Sequence, residues 1–233
     1  MRVHVRRQSQ HLVRVEPEEL AVLRKHAIGL DDQAWAQLIY PYVTPLIAPL
    51  EYRRLSLLLR ALPETHRGYV LEAGTGFGVL LPALAGSVRA VEAIDIRVGL
   101  ATAANHLVRA RGLENTHVSA QDLTALAFAD ESFDAVLTAS VLEHLANEPL
   151  ERALAEIRRV LRPGGVLCCC SPSENSLYRA LRVVFGKTKP ADHHQTARTI
   201  AAAVTRHFTS VAVRNIPRFG NELALFQIAV ARA

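Results

Sequence analysis

The chain has 233 residues, 50% of them hydrophobic, with 27 basic and 22 acidic side chains and a formal net charge of +5. That is apolar material for one core of ordinary size, and it excludes two full domains. The charge is uneven, since residues 1–15 hold Arg2, Arg6, Arg7 and Arg14 and no acid, which leaves the rest nearly neutral. Such a tail is either a solvated terminus or a contact for nucleic acid or an anionic membrane. The same arginines break the order of a signal peptide, and Pro41, Pro45 and Pro49 interrupt the short apolar stretch Leu38–Leu50, so a soluble, cytoplasmic protein is expected.

In chain order, Glu18–Gly29, Asp31–Tyr40 and Glu51–Leu62 read as helices, the last with Leu55, Leu58, Leu59 and Leu62 on one face. Residues 1–66 thus form a basic tail and helical lead-in, and residues 67–233 form the main domain. From Tyr69 the pattern changes to short apolar runs separated by helical stretches, which signals βαβ units and a mostly parallel sheet. Strands are predicted at Tyr69–Ala73, Ala90–Asp95, His117–Ala120, Phe133–Ala139 and Val166–Ser171. Helices are predicted near Gly78–Leu84, Gly99–Arg111 and Leu150–Leu161, the last halted by Arg162-Pro163-Gly164-Gly165. A helix at Thr196–His207 precedes two runs, Ser210–Asn215 and Leu223–Ala231, whose short connection predicts an antiparallel hairpin. The expected fold class is α/β: a doubly wound, mostly parallel seven-stranded sheet with a closing antiparallel hairpin and a helical extension before it.

Cys168, Cys169 and Cys170 are consecutive, so neighbouring side chains point to opposite faces of a strand, which is poor disulfide geometry. They read as reduced residues of a buried strand. A metal site through Asp192, His193 and His194 lacks an accompanying ligand cluster in the sequence, so no metal is expected.

The residues that carry chemistry begin with Val70-Leu71-Glu72-Ala73-Gly74-Thr75-Gly76-Phe77-Gly78, an apolar strand running into a glycine turn. Glycines let a backbone turn tightly and approach a ligand closely. A dinucleotide fingerprint would require glycine at Val79, whereas the third glycine is Gly78, so the spacing is Gly-x-Gly-x-Gly. Asp95 ends the next predicted strand, where ribose hydroxyls need an acceptor. Ala120-Gln121-Asp122-Leu123 follows the third strand, and Phe128-Ala-Asp-Glu-Ser-Phe-Asp134 turns into the fourth.

With Ser140-Val-Leu-Glu-His-Leu145 and Leu161-Arg-Pro-Gly-Gly165, these segments resemble the class I S-adenosylmethionine-dependent methyltransferases of the type 11 kind, over about residues 67–171. The resemblance implies a Rossmann-like methyltransferase fold with S-adenosylmethionine as cofactor. It implies Glu72 near the methionine amino end, Gly74, Thr75, Gly76 and Gly78 beneath it, and Ser140 facing the methionine portion. Asp95 would bind the ribose, Ile96 would pack on adenine, and Asp122 would accept the adenine amino group beside the Leu123 backbone. Asp95 and Asp122 also read as loop-capping carboxylates.

Methyl transfer is an in-line attack on a sulfonium methyl, so the site mainly aligns reactants and excludes water. A histidine base suits a hydroxyl or acidic-carbon acceptor. His144 either serves so or starts a helix with Glu143, while His193 and His194 either contact the acceptor or cap the helix at Thr196. Asn175–Phe185 puts Leu177, Tyr178, Leu181, Val184 and Phe185 on one helical face and Arg179 and Arg182 on the other. It reads as a surface helix, a lid, or a peripheral membrane contact.

The expected function is methyl transfer to a small-molecule or lipid acceptor. Its rivals are a non-catalytic adenosylmethionine-binding regulator or scaffold, a nicotinamide oxidoreductase, and an RNA-directed methyltransferase. Nucleic-acid amino methylation is disfavoured because Thr138-Ala139-Ser140-Val141 stands where an Asn/Asp-Pro-Pro-aromatic motif would lie.

Overall fold

A computed structural model of the protein describes residues 17–185, 192–218 and 220–233, so the basic tail lies outside the described residues. Three helices lead in: α1 (Pro17–His26), α2 (Asp32–Val43) and α3 (Ala48–Ala61). Strand β1 (Tyr69–Ala73) and helix α4 (Leu81–Ala85) follow, then β2 (Ala90–Asp95), α5 (Val98–Ala110) and β3 (Thr116–Ala120). After β4 (Phe133–Ala139) come α6 (Asn147–Val160), β5 (Leu161–Pro172), α7 (Ser176–Val184), α8 (Ala197–His207), β6 (Ser210–Ile216) and β7 (Phe226–Arg232). The strands form one seven-stranded sheet in the order β3-β2-β1-β4-β5-β7-β6. β1 to β5 are parallel, whereas β7 runs antiparallel to both β5 and β6 and closes the edge as a hairpin.

Each central strand is apolar on both faces because helices cover both, as a parallel sheet requires. Val70, Leu137, Cys168 and Cys170 face one core, with α3, α4 and α5. Leu71, Val136, Leu167 and Cys169 face the other, against α6 and α8. The three cysteines therefore alternate between two cores and are free and buried. Burial pushes their thiols up, to about 12 for Cys168 and Cys169 and about 11 for Cys170, so none is a thiolate nucleophile.

The lead-in is part of the same body, since Leu20, Leu23, Trp35, Leu55 and Leu58 share one core with Val70, Phe77 and Leu107. Trp35 and Tyr42 both pack on Phe77, at ring-centroid distances of 5.7 and 5.6 Å, which sets the lead-in over the glycine turn.

Element bounds differ from expectation in two informative places. The helix expected from Gly78 begins at Leu81, because Gly76 and Gly78 adopt φ of 59° and 91° and keep the chain out of the helical well until Pro82 can occupy the first turn. The turn expected at Arg162–Gly165 is taken into β5, whose register against β4 shifts between Phe133 and Ala135 while Gly164 stands at φ 76°. That shift is a bulge, which absorbs the extra residues without breaking the ladder.

Gly99 opens α5 directly beneath the Ile28 backbone, and a Cβ there would overlap Ile28 main-chain atoms that cannot move aside. Gly99→Ala should therefore cost on the order of 1–3 kcal/mol, the usual range for overpacking. For a chain of this size that lowers Tm by several degrees, measurable by thermal melts. An unchanged Tm would mean that the lead-in does not dock on α5.

Candidate functional site

β1 and β4 are hydrogen-bonded neighbours in the middle of the sheet, with Ala73 opposite Thr138, so the turns that leave their carboxyl ends face each other. Gly74, at φ 78°, lies against the Val141 side chain, and any Cβ there would collide with it. The three glycines of the turn serve different ends. Gly74 admits Val141, Gly78 lies where a Cβ would crowd Leu81, Ala104 and Leu107, and Gly76 faces open space where a ligand can approach.

Two acids brace this turn. Asp95 accepts from the Gly76 amide through Oδ2 and from the Arg97 amide through Oδ1, both at 2.9 Å. Burial raises its carboxyl, and those two amides offset part of the rise. Buried Glu72 accepts a 3.0 Å hydrogen bond from the Thr75 hydroxyl, yet burial pushes its carboxyl up to about 8, with Asp95 adding to the rise. A buried acid poised to ionise beside an open glycine turn suits a cationic ligand group.

Past β2, Ile96 and Val98 are 67% and 68% exposed, an apolar platform of the kind a nucleobase covers. Across from them, Asp122 uses Oδ1 to cap its own loop, accepting from the Thr124 amide at 2.8 Å and hydroxyl at 2.9 Å, while Leu123 is buried. The loop-capping reading of Asp122 thus holds for one oxygen of its carboxylate. These features fit an adenosine with an amino-acid end: a glycine cradle open at Gly76, a buried acid on one side of it and exposed apolar side chains on the other.

The opposite side of the site is built after β4. Ser140, at φ 57°, turns the chain in the left-handed region, and its amide donates to the Cys170 carbonyl. The next residues form a short 3-10 turn, Leu142–His144, rather than the start of a long helix, and α6 begins only at Asn147. The turn drives Glu143 into the core, fully buried, with no hydrogen-bond partner for either carboxylate oxygen among the described residues. Burial pushes its carboxyl up to about 7, while its own backbone amide, His193, Arg54 and the Ser140 hydroxyl pull the other way, the amide and hydroxyl from outside hydrogen-bonding geometry.

The segment at 192–195 is fastened onto this turn, since the His194 and Gln195 amides donate to the Glu143 carbonyl and Gln195 Nε2 donates to the Leu145 carbonyl. His144 Nδ1 pairs with Asp192 at 3.0 Å, and His193 Nδ1 pairs with Glu174 at 2.9 Å. Burial holds the His144 imidazole below its ordinary value although Asp192 favours the charged form. The His144 and His193 rings meet edge to face at 4.7 Å, whereas the His194 side chain is exposed. The helix at α8 is capped by the Thr196 hydroxyl, so neither histidine serves as its cap.

Sequence reasoning named the three histidines and Asp192 but not the pairing of His144 with Asp192, and it missed Glu174. Glu174 is buried at φ 54°, and Arg182 grips it with two hydrogen bonds of 3.0 and 2.7 Å. Helical-face arithmetic set Arg182 with Arg179 on the polar side of α7; instead it reaches inward across the Tyr178 ring to a buried acid. Arg54 of α3 is likewise buried, paired with Glu51 at 2.5 Å and lying over Phe226. No helix among the described residues is long and apolar enough to cross a membrane.

Residues 71–169 match the family model of a methyltransferase domain, a span that contains the glycine turn, Asp95, Asp122 and the Ser140 turn. An uncharacterised 37.1 kDa protein of a Streptomyces fradiae transposon is 33% identical over 69% of this chain and 42% of its own length. The demethylmenaquinone methyltransferase of Thermus thermophilus is 33% identical over 61% of this chain and 65% of its own. The crystal structure of the N-methyltransferase NodS from Bradyrhizobium japonicum with S-adenosyl-L-homocysteine superposes with a TM-score of 0.62 at 20% identity, over 92% of this chain and 97% of that one, a likeness of fold. The chain spans 42%, 31% and 52% of three of its curated relatives. A methyltransferase domain is thus matched over residues 71–169, and the sheet that carries it has the fold of that N-methyltransferase.

Proposed function

We propose that the protein transfers the methyl group of S-adenosylmethionine to a small-molecule or lipid acceptor by in-line displacement. One observation carries this over a binding or scaffold role: a fully buried, unpartnered carboxylate, Glu143, stands with two histidines one turn from the glycine cradle, on the neighbouring strand end. A scaffold needs the cradle alone. Relatives that act in quinone methylation, the demethylmenaquinone methyltransferase and a ubiquinone biosynthesis O-methyltransferase of Dinoroseobacter shibae 32% identical over 52% of this chain, support the acceptor class.

In this reading the cofactor supplies an electrophilic sulfonium methyl. Glu72 pairs with its amino end, Gly74, Thr75, Gly76 and Gly78 cradle that end, and Ser140 faces the methionine portion. Asp95 takes the ribose hydroxyls with the lone pairs its two amide bonds leave, Ile96 packs on adenine, and Asp122 with the Leu123 backbone takes the adenine edge. On the acceptor side a histidine among His144, His193 and His194 takes the acceptor's proton. The α7 helix covers this side, and its exposed Val183 and Val184 beside Arg179 are the contact for an acceptor delivered from a lipid surface.

The direct test is mass spectrometry of an extract incubated with methyl-labelled adenosylmethionine. Adenosylhomocysteine together with a labelled product is expected; binding without turnover would leave a scaffold. Asp95→Ala should weaken adenosylhomocysteine binding by about 1.5–3 kcal/mol in calorimetry, the cost of a lost charge-assisted partner, and NAD should give no heat. Pelleting with anionic vesicles, lost when Val183 and Val184 are both replaced by Ser, is the expected signature of the lipid route.

Glu72 gives a pH prediction. Its folded value of about 8 stands above the ordinary value of 4.5, so the native state holds a proton that the unfolded chain releases. Stability from that proton is full below about 4.5 and falls as pH rises toward 8. Glu72→Gln has no such loss, so the Tm of the variant relative to the unsubstituted protein should be higher at pH 8 than at pH 5. A difference that does not change with pH would show that Glu72 is ionised throughout.

A further inference from the structure

We infer that Glu143, His144 and His193 form a binding site for one divalent transition-metal ion at the acceptor side of the cofactor cradle. Each offers a ligand atom, and the three atoms lie within 4.8 Å of one another. Two nitrogens and one carboxylate oxygen are the donor set of borderline ions such as zinc, iron(II) or cobalt(II).

Two further observations point to a ligand here. The Glu143 carboxylate is fully buried and has no hydrogen-bond partner among the described residues, a costly state that a bound cation relieves. His144 Nδ1 lies against Asp192 and His193 Nδ1 against Glu174, with Arg182 Nη2 also 3.4 Å from the latter; in the tautomer that donates from Nδ1 to the carboxylate, Nε2 of each ring holds the lone pair. That carboxylate–imidazole arrangement is what orients metal-ligating histidines. Asp192 and Glu174 flank the group and hold its two histidines, while Arg182 pairs with Glu174 and the charges of Arg54 and Arg97 also reach the cluster.

Bonds of about 2.1 Å in tetrahedral geometry put ligand atoms ~3.4 Å apart, so an ion would draw these side chains together by rotation about their χ angles. Three protein ligands leave a position open. Its occupant would be the acceptor hydroxyl, whose pKa the ion lowers. The proton passes to the exposed His194 or to water, the oxygen lone pair forms the new C–O bond, and the methyl–sulfur bond breaks to give adenosylhomocysteine. This role for the ion rests on the methyl-transfer reading; the binding site does not. It also assigns His144 and His193 as ligands and leaves His194 as the base.

The test uses the full chain, stripped with a chelator, dialysed, and titrated with cobalt(II) as a spectroscopic probe and zinc against a chromophoric competitor. One ion per chain is expected, with the comparatively intense visible ligand-field bands of four-coordinate cobalt(II) and no thiolate charge-transfer band. Glu143→Gln, nearly isosteric, and His193→Ala should each weaken binding at least about tenfold. Circular dichroism and adenosylhomocysteine affinity report the fold, and if His193→Ala does not fold, Glu143→Gln decides. No stoichiometric ion, a thiolate band, or binding unchanged in Glu143→Gln overturns the site. Product formation is read in the same preparations: full turnover by the stripped protein removes the ion while leaving methyl transfer standing, and ion binding without turnover does the reverse.

Discussion

The side-by-side pairing of β1 and β4 is the constraint from which the site follows. Their parallel ladder brings two turns to one edge of the sheet, and the missing side chain at Gly74 lets Val141 lie directly on it. The glycine cradle is measured from Gly74, and the histidine cluster from Ser140. A ligand held by one turn is necessarily within reach of the other, which is the general property of a sheet at the point where strand order reverses. The lead-in helices reinforce the same junction through Trp35 and Tyr42 on Phe77, so the fold's stability and the position of the cradle share contacts.

The glycine turn and the acids that brace it were legible because their determinants are local. A strand, a glycine turn and an acid at the next strand end are read along the chain, and the structure keeps them within a few residues of their expected places. The histidine cluster after β4 was not legible because its pairs join residues distant in sequence. Glu143 meets the backbone of His194 and Gln195, His144 meets Asp192, and Glu174 meets both Arg182 and His193. Periodicity identifies which face of α7 is apolar, but it contains no information that a buried carboxylate lies within reach of Arg182. The Glu143 side chain was hidden for a related reason: a 3-10 turn rotates it inward, where an ordinary helix start would have left it in water.

Buried charge in this molecule is concentrated between the lead-in and the open end of the sheet. Arg54 is held by Glu51 and lies near Tyr42, Phe226 and Cys170, and burial pushes the Tyr42 hydroxyl well up. A buried pair of this kind is weak evidence for stability, because desolvation offsets most of its attraction. Its value is positional, since a guanidinium with one committed partner and aromatic walls has little freedom to wander. Glu143, by contrast, has no hydrogen-bond partner among the described residues, although the charges of His193 and Arg54 reach its carboxyl.

The run of three cysteines has a use of its own. Each thiol sits in the middle of the sheet, two on one face and one on the other, and none is ionised at neutral pH. Alkylation can therefore reach them only when β5 parts from its helical cover, and the two faces require different helices to leave. The rate at which a thiol reagent modifies Cys169 against Cys168 and Cys170 is then a clock for two separate openings, one under α6 and α8 and one under the lead-in. The chain carries its own probes of which layer comes away first, without a label being introduced.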